Sequence, residues 1–410
     1  MPARLGGENT GALKDLRVVE MGSLIAGPFC GQLMGDMGAE VIKVEPVNGS
    51  DNLRSLPPDV DGVGVNHLVF DRYKKSLPVD LRTESGREVF LAVAKTSDAV
   101  IEGMRTGVAD RLGIGAQALQ EVNPKLTYVT LPGYGSGGPL SAVAGHDLNF
   151  DAVAGILSLT WPGPMGPPPV QAADYFGATL AALAAVSGVL QAGRTGRGAI
   201  GESSLFDGAM FAMVIPIART LMLGEDVRAE NHMLIGSLAC YSTYECSDGR
   251  RLAVAALEPH FWKRFCELAE IDDDGAQFDV KRQDMVRERV SRALKMRSCD
   301  EWIERFGDED VCVSPVLSVS EAVRTPHVRA RGGVGSVRHP AGTTLETPAS
   351  PFRFASDRGT DRAATATVPA LGEGAYELLV EAGFSAEAVA RLAADGIVVA
   401  PIHRPNSVEH

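Results

Sequence analysis

His146 and Asp147, in the run Gly145-His146-Asp147-Leu148-Asn149-Phe150, set an imidazole beside a carboxylate. Asp174, in Ala172-Ala173-Asp174-Tyr175-Phe176-Gly177, sets a second carboxylate ahead of an Ala- and Leu-rich run from Gly177 to Leu190. That run reads as a buried helix. Asp174 then falls near its N-cap, where first-turn N–H groups and the positive end of the dipole stabilise a carboxylate. An imidazole and a carboxylate facing each other across a pocket can pass a proton in either direction. The same residues also have a plainer reading, in which His146 and Asp147 end a loop and Asp174 merely caps a helix.

Positioning such a pair needs a scaffold, and the chain is long enough for one. At 410 residues it exceeds one ordinary core, so two domains are expected. Hydrophobic residues make up 45% and charged residues 22%, the balance of a soluble globular protein. No uncharged apolar run of spanning length stands out, and the N-terminus lacks the apolar stretch of a signal peptide. A soluble, cytoplasmic protein is the expectation. Six cysteines form no C-x-x-C pair and no His cluster joins them, which argues for reduced thiols and against structural zinc. The net charge of −13 argues against nucleic acid and against an anionic membrane surface as partners. An anionic ligand would need a local basic patch. Lys43, Arg54, Arg72, Lys74, Lys75, Arg82 and Arg105 fall mostly after strand ends and could supply one.

The element pattern predicts a Rossmann-like, doubly wound α/β sheet. Residues 1–13 read as a loose arm. Strands are expected at 16–21, 40–45, 98–102 and 126–131, with a basic turn at 71–76 running into another. Helices are expected up to about Met37 and over 85–94 and 116–122. Ligand sites in such sheets lie at the strand C-termini. The G-x-G-x-x-G fingerprint is missing, so neither NAD nor FAD is inferred. A strand-like stretch at 200–205 leads to a long apolar helix from Asp207 to about Leu223. Asp248-Gly249-Arg250 reads as a hairpin turn, and 262–330 as mostly helical. The expected domains are 1–224, a smaller α+β domain over 225–330, and 331–410, which returns to the large domain. Within that last part 343–368 reads as a long extended connection, followed by two short helices.

Several of these pieces together resemble the family III CoA-transferase (CaiB/BaiF) and α-methylacyl-CoA racemase superfamily. They include Ala26-Gly27-Pro28, the run from Asp36-Met37-Gly38 to Lys43-Val44-Glu45, and Gly107 to Gly113. Asn123-Pro124-Lys125-Leu126, Gly133-Tyr134-Gly135, Thr195-Gly196-Arg197-Gly198, Ser314-Pro315-Val316 and Leu371-Gly372-Glu373 complete the series. The order is kept over nearly the whole chain. The His146 and Asp174 segments resemble the racemase branch, as do Asn231-His232-Met233-Leu234 and Leu257-Glu258-Pro259-His260-Phe261. The run of consecutive glycines found in many transferases is missing. Ile235 stands where racemases often have Asp, and Ser237-Leu238-Ala239-Cys240 departs from the usual Gly-Ala-Pro stretch.

The resemblance implies an interlocked homodimer with shared active sites, Glu258 coming from the other subunit. It implies a racemase of 2-methylacyl-CoA thioesters in which His146 and Asp174 are the two bases. Asp147 and Glu258 would orient and tune His146. CoA, as part of the substrate, would contact Ile25, Ala26, Lys43, Arg54, Lys75, Arg105 and Arg111. No metal and no permanently bound cofactor is implied. CoA transfer through an aspartyl thioester at Asp174 is the alternative, and a non-catalytic CoA-binding protein is a third.

Overall fold

A computed structural model describes residues 11–160, 167–354 and 365–401. Most of the expected loose arm, part of the expected connection (355–364) and the tail from 402 lie outside the described residues. The chain divides into two compact units. One comprises 1–154, 170–212 and 326–410; the other comprises 155–169 and 213–325.

In the first unit, β1 (Arg17–Met21) leads through α1 (Ala26–Asp36) to β2 (Glu40–Glu45). Then come β3 (Lys74–Pro78), α2 (Glu84–Lys95), β4 (Ala99–Glu102), β5 (Thr127–Thr130) and, much later, β6 (Ile200–Glu202). The six strands form one sheet in the order β3-β2-β1-β4-β5-β6, and every pair is parallel. The strand order reverses between β1 and β4, which in doubly wound folds opens a ligand crevice beyond the strand C-termini. Its central strands are buried on both faces, so apolar residues point each way along them, with Glu20, Lys43, Lys74 and Ser76 buried among these; the edge strand β6 is largely exposed. Val18, Val41, Ile101 and Val129 face one way, against Cys30 and Met34 of α1. Val19, Ile42, Leu77 and Val100 face the other, against Val89, Phe90 and Val93 of α2 and against Leu378, Leu379 and Val389 from the C-terminal segment. That segment is tied in by a bridge between Val79 and Val398 and by the Asp80 N–H to the Ile397 carbonyl, 2.9 Å.

The chemistry-bearing segments sit on three further helices: α3 (Asp147–Ala154), α4 (Ala172–Thr195) and α5 (Leu205–Ala212). The expected start of α4 at Gly177 is too late. The helix begins five residues earlier, which puts Asp174 inside its first turn. By length and composition α4 could also cross a bilayer, with a mean hydropathy of 1.5. Here Ala178, Ala181, Ala182 and Ala185 pack into the sheet core. The approach is close: a Cβ on Gly188 would lie 2.4 Å from Thr127 Cγ2 of β5. The single helix expected from Asp207 to Leu223 is two, α5 and then α6 (Val214–Leu223), with Met213 between them. The stretch read as an extended connection is partly a sheet. Val334–Arg338 pairs antiparallel with Thr344–Pro348 and parallel with Thr365–Thr367.

The second unit is α+β. Tyr241–Glu245 and Arg251–Ala255 form the expected hairpin around Gly249 (φ +80°), and Val313–Pro315 adds a third strand. Helices Pro259–Ala269, Gln283–Leu294 and Cys299–Phe306 cover it, burying Trp262, Phe265, Trp302 and Phe306.

Candidate active site

His146 immediately precedes α3. Its N–H is held by Asn149 Oδ1 at 3.0 Å, and its carbonyl accepts the Asn149 N–H at 2.8 Å. This side-chain return to the start of a helix is one half of a capping box. It fixes the backbone while the imidazole stays exposed. One turn on, buried Phe150 packs edge-on against Tyr134, ring centroids 4.7 Å apart. A Cβ on Gly145 or on Gly133 would come within 2.8 Å of the Phe150 ring. Glycine at both positions lets the 133–145 loop close onto α3.

Gln171, the N-cap of α4, makes no side-chain cap. Asp147 does that work from the neighbouring helix, its Oδ1 accepting the Asp174 N–H at 3.1 Å. One first-turn donor of α4 is thereby satisfied, and Asp174 is fastened to the residue next to His146. The first turn is also clamped from behind. Ser203 Oγ donates to the Gly177 carbonyl at 3.1 Å, and a Cβ on Gly208 of α5 would lie 2.4 Å from the Gly177 nitrogen. Tyr175 packs edge-on against Phe29 of α1 at 4.8 Å, so α1 flanks the start of α4. Ile25 is the N-cap of α1 and Ala26 its buried first residue.

Three carboxyl groups converge here. Burial, reinforced by the charges of Asp147 and Asp151, pushes Asp174 up to about 7. Burial also raises Asp147, against the opposing pull of the Asp174 N–H. Burial and then the charge of Asp147 push Asp151 up to about 6. Among the described residues none of the three has an ion-pair partner. A carboxyl group poised near neutrality exists in both protonation states and can serve as acid or base. Asp151 escaped the sequence reading. Its i+4 spacing from Asp147 was the available signal, because on a helix that spacing stacks two side chains on one face. Glu258 lies in the second unit, exposed at the N-cap of Pro259–Ala269.

The cations expected to meet CoA are placed differently from the expectation. Lys43 is fully buried, its ammonium 2.6 Å from both Asp51 and Asp71. Arg54 grips Glu45 with two bonds of 2.7 Å and donates to the Pro369 carbonyl. Lys75 is paired with Glu40. Lys74 binds Glu20 and Asp71, and Arg72 binds Asp36. These charges are satisfied inside the fold, so they form no open basic patch. Arg105 and Arg111 are exposed and, among the described residues, form no ion pair.

A cavity of about 540 Å³ opens at the crevice beyond β1, β2, β3 and β4. Gly22, Ser23, Pro46, Asn48, Arg82 and Met104 are among its walls, and none of the seven residues expected to contact CoA lines it. Close approach shapes its floor, where a Cβ on Gly22 would lie 2.6 Å from Gly27 Cα. Glu102 ends β4 just behind this wall. Burial pushes it up to about 7, while it accepts the Met104 N–H and the Tyr128 hydroxyl.

The chain is similar to known proteins along most of its length. The profile of CoA-transferase family III matches residues 13–375. The chain is 31% identical over 399 residues to human α-methylacyl-CoA racemase, covering 94% of this chain and 97% of that one. It is 28% identical over 397 residues to succinyl-CoA:mesaconate CoA-transferase of Haloarcula hispanica, covering 91% and 97%. In three dimensions it resembles a CaiB/BaiF family protein from Brucella suis, with a TM-score of 0.75, 27% identity, and coverage of 91% and 99%.

Proposed function

The chain belongs to CoA-transferase family III, and from that premise we propose that it racemises 2-methylacyl-CoA thioesters by two-base proton transfer between His146 and Asp174. The supporting observation is the joint between the two segments. Asp147 is adjacent to His146 in sequence and holds the Asp174 amide, and the Asp174 carboxyl sits near neutrality through burial. The similarity to human α-methylacyl-CoA racemase supports the same reading.

A thioester α-hydrogen is acidic because the carbanion delocalises into the carbonyl. One base removes that proton from one face, and the protonated partner returns a proton to the other. The roles exchange for the opposite enantiomer. The developing enolate oxygen needs donors. The Asp174 N–H is engaged by Asp147, which leaves the Asp147 N–H at the start of α3 to serve. The nucleotide of CoA would enter the crevice cavity past Arg82, with Arg105 and Arg111 at hand for its phosphates. No metal or resident cofactor has a role in these steps. The assembly we envisage is a homodimer in which the partner subunit's Glu258 tunes His146. Exposed apolar side chains such as Leu183, Leu190, Leu221 and Met222 favour a second copy.

Similarity to a succinyl-CoA:mesaconate CoA-transferase favours a second reading. There the Asp174 carboxylate attacks the donor thioester and expels CoA thiolate, leaving a mixed anhydride. The thiolate then displaces the donor carboxylate to give an aspartyl thioester, which hands CoA to an acceptor acid by the reverse steps. One enantiomer of a 2-methylacyl-CoA, incubated with protein and succinate and analysed on a chiral column, separates the two. Conversion to both enantiomers with no succinyl-CoA supports racemisation; succinyl-CoA with retained configuration refutes it.

A further inference from the structure

Asp151 sits one turn after Asp147 on α3, fully buried. Neither of its oxygens has a hydrogen-bond partner of good geometry. A bare carboxylate in that position is costly. The groups packed around it do little to offset that cost. From α4 comes the Asp174 carboxyl, which adds negative charge at the site, with the Ala173 N–H as a donor that opposes it. The titratable group on α5 is Asp207, whose carboxylate is engaged 2.6 Å from Ser204 Oγ. His146 precedes the helix and is exposed. With no cation paired to them among the described residues, adjacent carboxylates can lower their energy by holding one proton between them.

We propose that Asp147 and Asp151 share one proton, and that through this bond Asp151 positions Asp147 to hold the first turn of α4 and thus Asp174. The proton comes from solvent on folding and is not consumed. It gives Asp151 a partner, occupies one oxygen of Asp147, and leaves Oδ1 free for the Asp174 N–H. Asp151 is a positioning residue: it acts on Asp174 through Asp147. The raised Asp151 is in keeping with a retained proton. The catalytic consequence rests on the racemase reading; the shared proton does not.

The test has two arms. Carbon-13 NMR titration of aspartate carboxyls in the free wild-type protein is expected to show one group titrating near 6 and one near 7. Asp151→Asn should remove the former. If every wild-type aspartate titrates in the ordinary carboxylate range, there is no shared proton and the proposal falls, whatever the reaction is. The second arm compares Asp151→Asn with Asp151→Leu in α-proton exchange of a 2-methylacyl-CoA. An Asn carboxamide can still donate to Asp147 and should keep kcat within about threefold of wild type. Leu cannot, and kcat should fall roughly 10- to 100-fold with KM within about twofold, as expected for a misplaced base. Equal loss in both variants, or none in Asp151→Leu, would overturn the positioning role. The wild-type titration needs no variant, so it decides even if Asp151→Leu does not fold.

Discussion

Glu20, Asp51 and Asp71 are buried alongside Lys43, Lys74 and His67. Asp147, Asp151 and Asp174, in the same unit, come together at the starts of α3 and α4 with no cation among the described residues. All six carboxyl groups are wholly or partly withdrawn from water, yet Asp71 and Asp174 shift in opposite senses. Burial alone would raise Asp71, but the Lys74 and Lys43 charges and the His67 ring hold it well below the usual carboxylate range. Burial raises Asp174 unopposed, and its neighbours raise it further. Compensation makes Asp71 and its partners a fixed part of the scaffold. Its absence leaves Asp174 responsive near neutral pH, where proton transfer to carbon needs it. Glu20 marks the limit of compensation. Burial outweighs Lys74 there, and one of its oxygens remains without a partner.

The contrast can be broken most severely from the compensated side. Lys74→Met strips both Glu20 and Asp71 of a partner. It should cost about 3–5 kcal/mol in urea unfolding, the usual loss when one member of a buried ion pair is removed. A change below about 1 kcal/mol would mean that the network does not hold this part of the sheet. On the uncompensated side, Asp174→Asn should lower racemisation by about 10²–10⁴-fold, the range of a lost general base, without lowering stability.

Asp174 and Asp71 should also give opposite pH slopes. Between 3.8 and about 7 the unfolded chain has released the Asp174 proton while the folded chain keeps it. This group's contribution to stability therefore falls as pH rises through that window. Asp71 works the other way. Its contribution is present above the unfolded value and is lost as pH falls through the folded one. Urea midpoints across the window should show Asp174→Asn flattening the decline; an unchanged slope would place the proton elsewhere. The smallest effect belongs to an ion pair at the surface, its cation in water. Arg82 is 81% exposed beside Asp80, and Asp80→Ala should leave the melting temperature unchanged within error. A clear drop would show that the cavity rim is more rigid than its exposure implies.

Much of this scaffold is legible in the chain. β1, β2, β4 and β5 are short runs rich in Val, Ile or Thr, followed closely by Gly or Pro, and so read as strands. His146, Asp147 and Asp174 stand out by residue type. What eludes the sequence depends on partners distant along the chain. Lys43 and Lys74 look like surface cations until the fold brings Asp71 to both. Val334–Arg338 and Thr344–Pro348 hide their pairing behind Ser, Thr and Pro. The break at Met213 does carry a signal, Pro216, which a helix interior excludes and the first turn of α6 tolerates. The near-neutral titration of Asp174 follows from burial and then from the charges of Asp147 and Asp151, and burial is what a one-dimensional pattern does not display.

The central claim is that two bases act from opposite faces of one carbon. The direct measurement is proton NMR of each enantiomer of a 2-methylacyl-CoA in D2O, with wild type, His146→Ala and Asp174→Asn, and no carboxylate acceptor present. Wild type should exchange the α-proton of both enantiomers and racemise them. Each variant should exchange only one enantiomer, a different one in each case, and racemise neither. No exchange by wild type, with CoA moving to succinate once it is added, would contradict the claim and leave Asp174 as a transferase nucleophile.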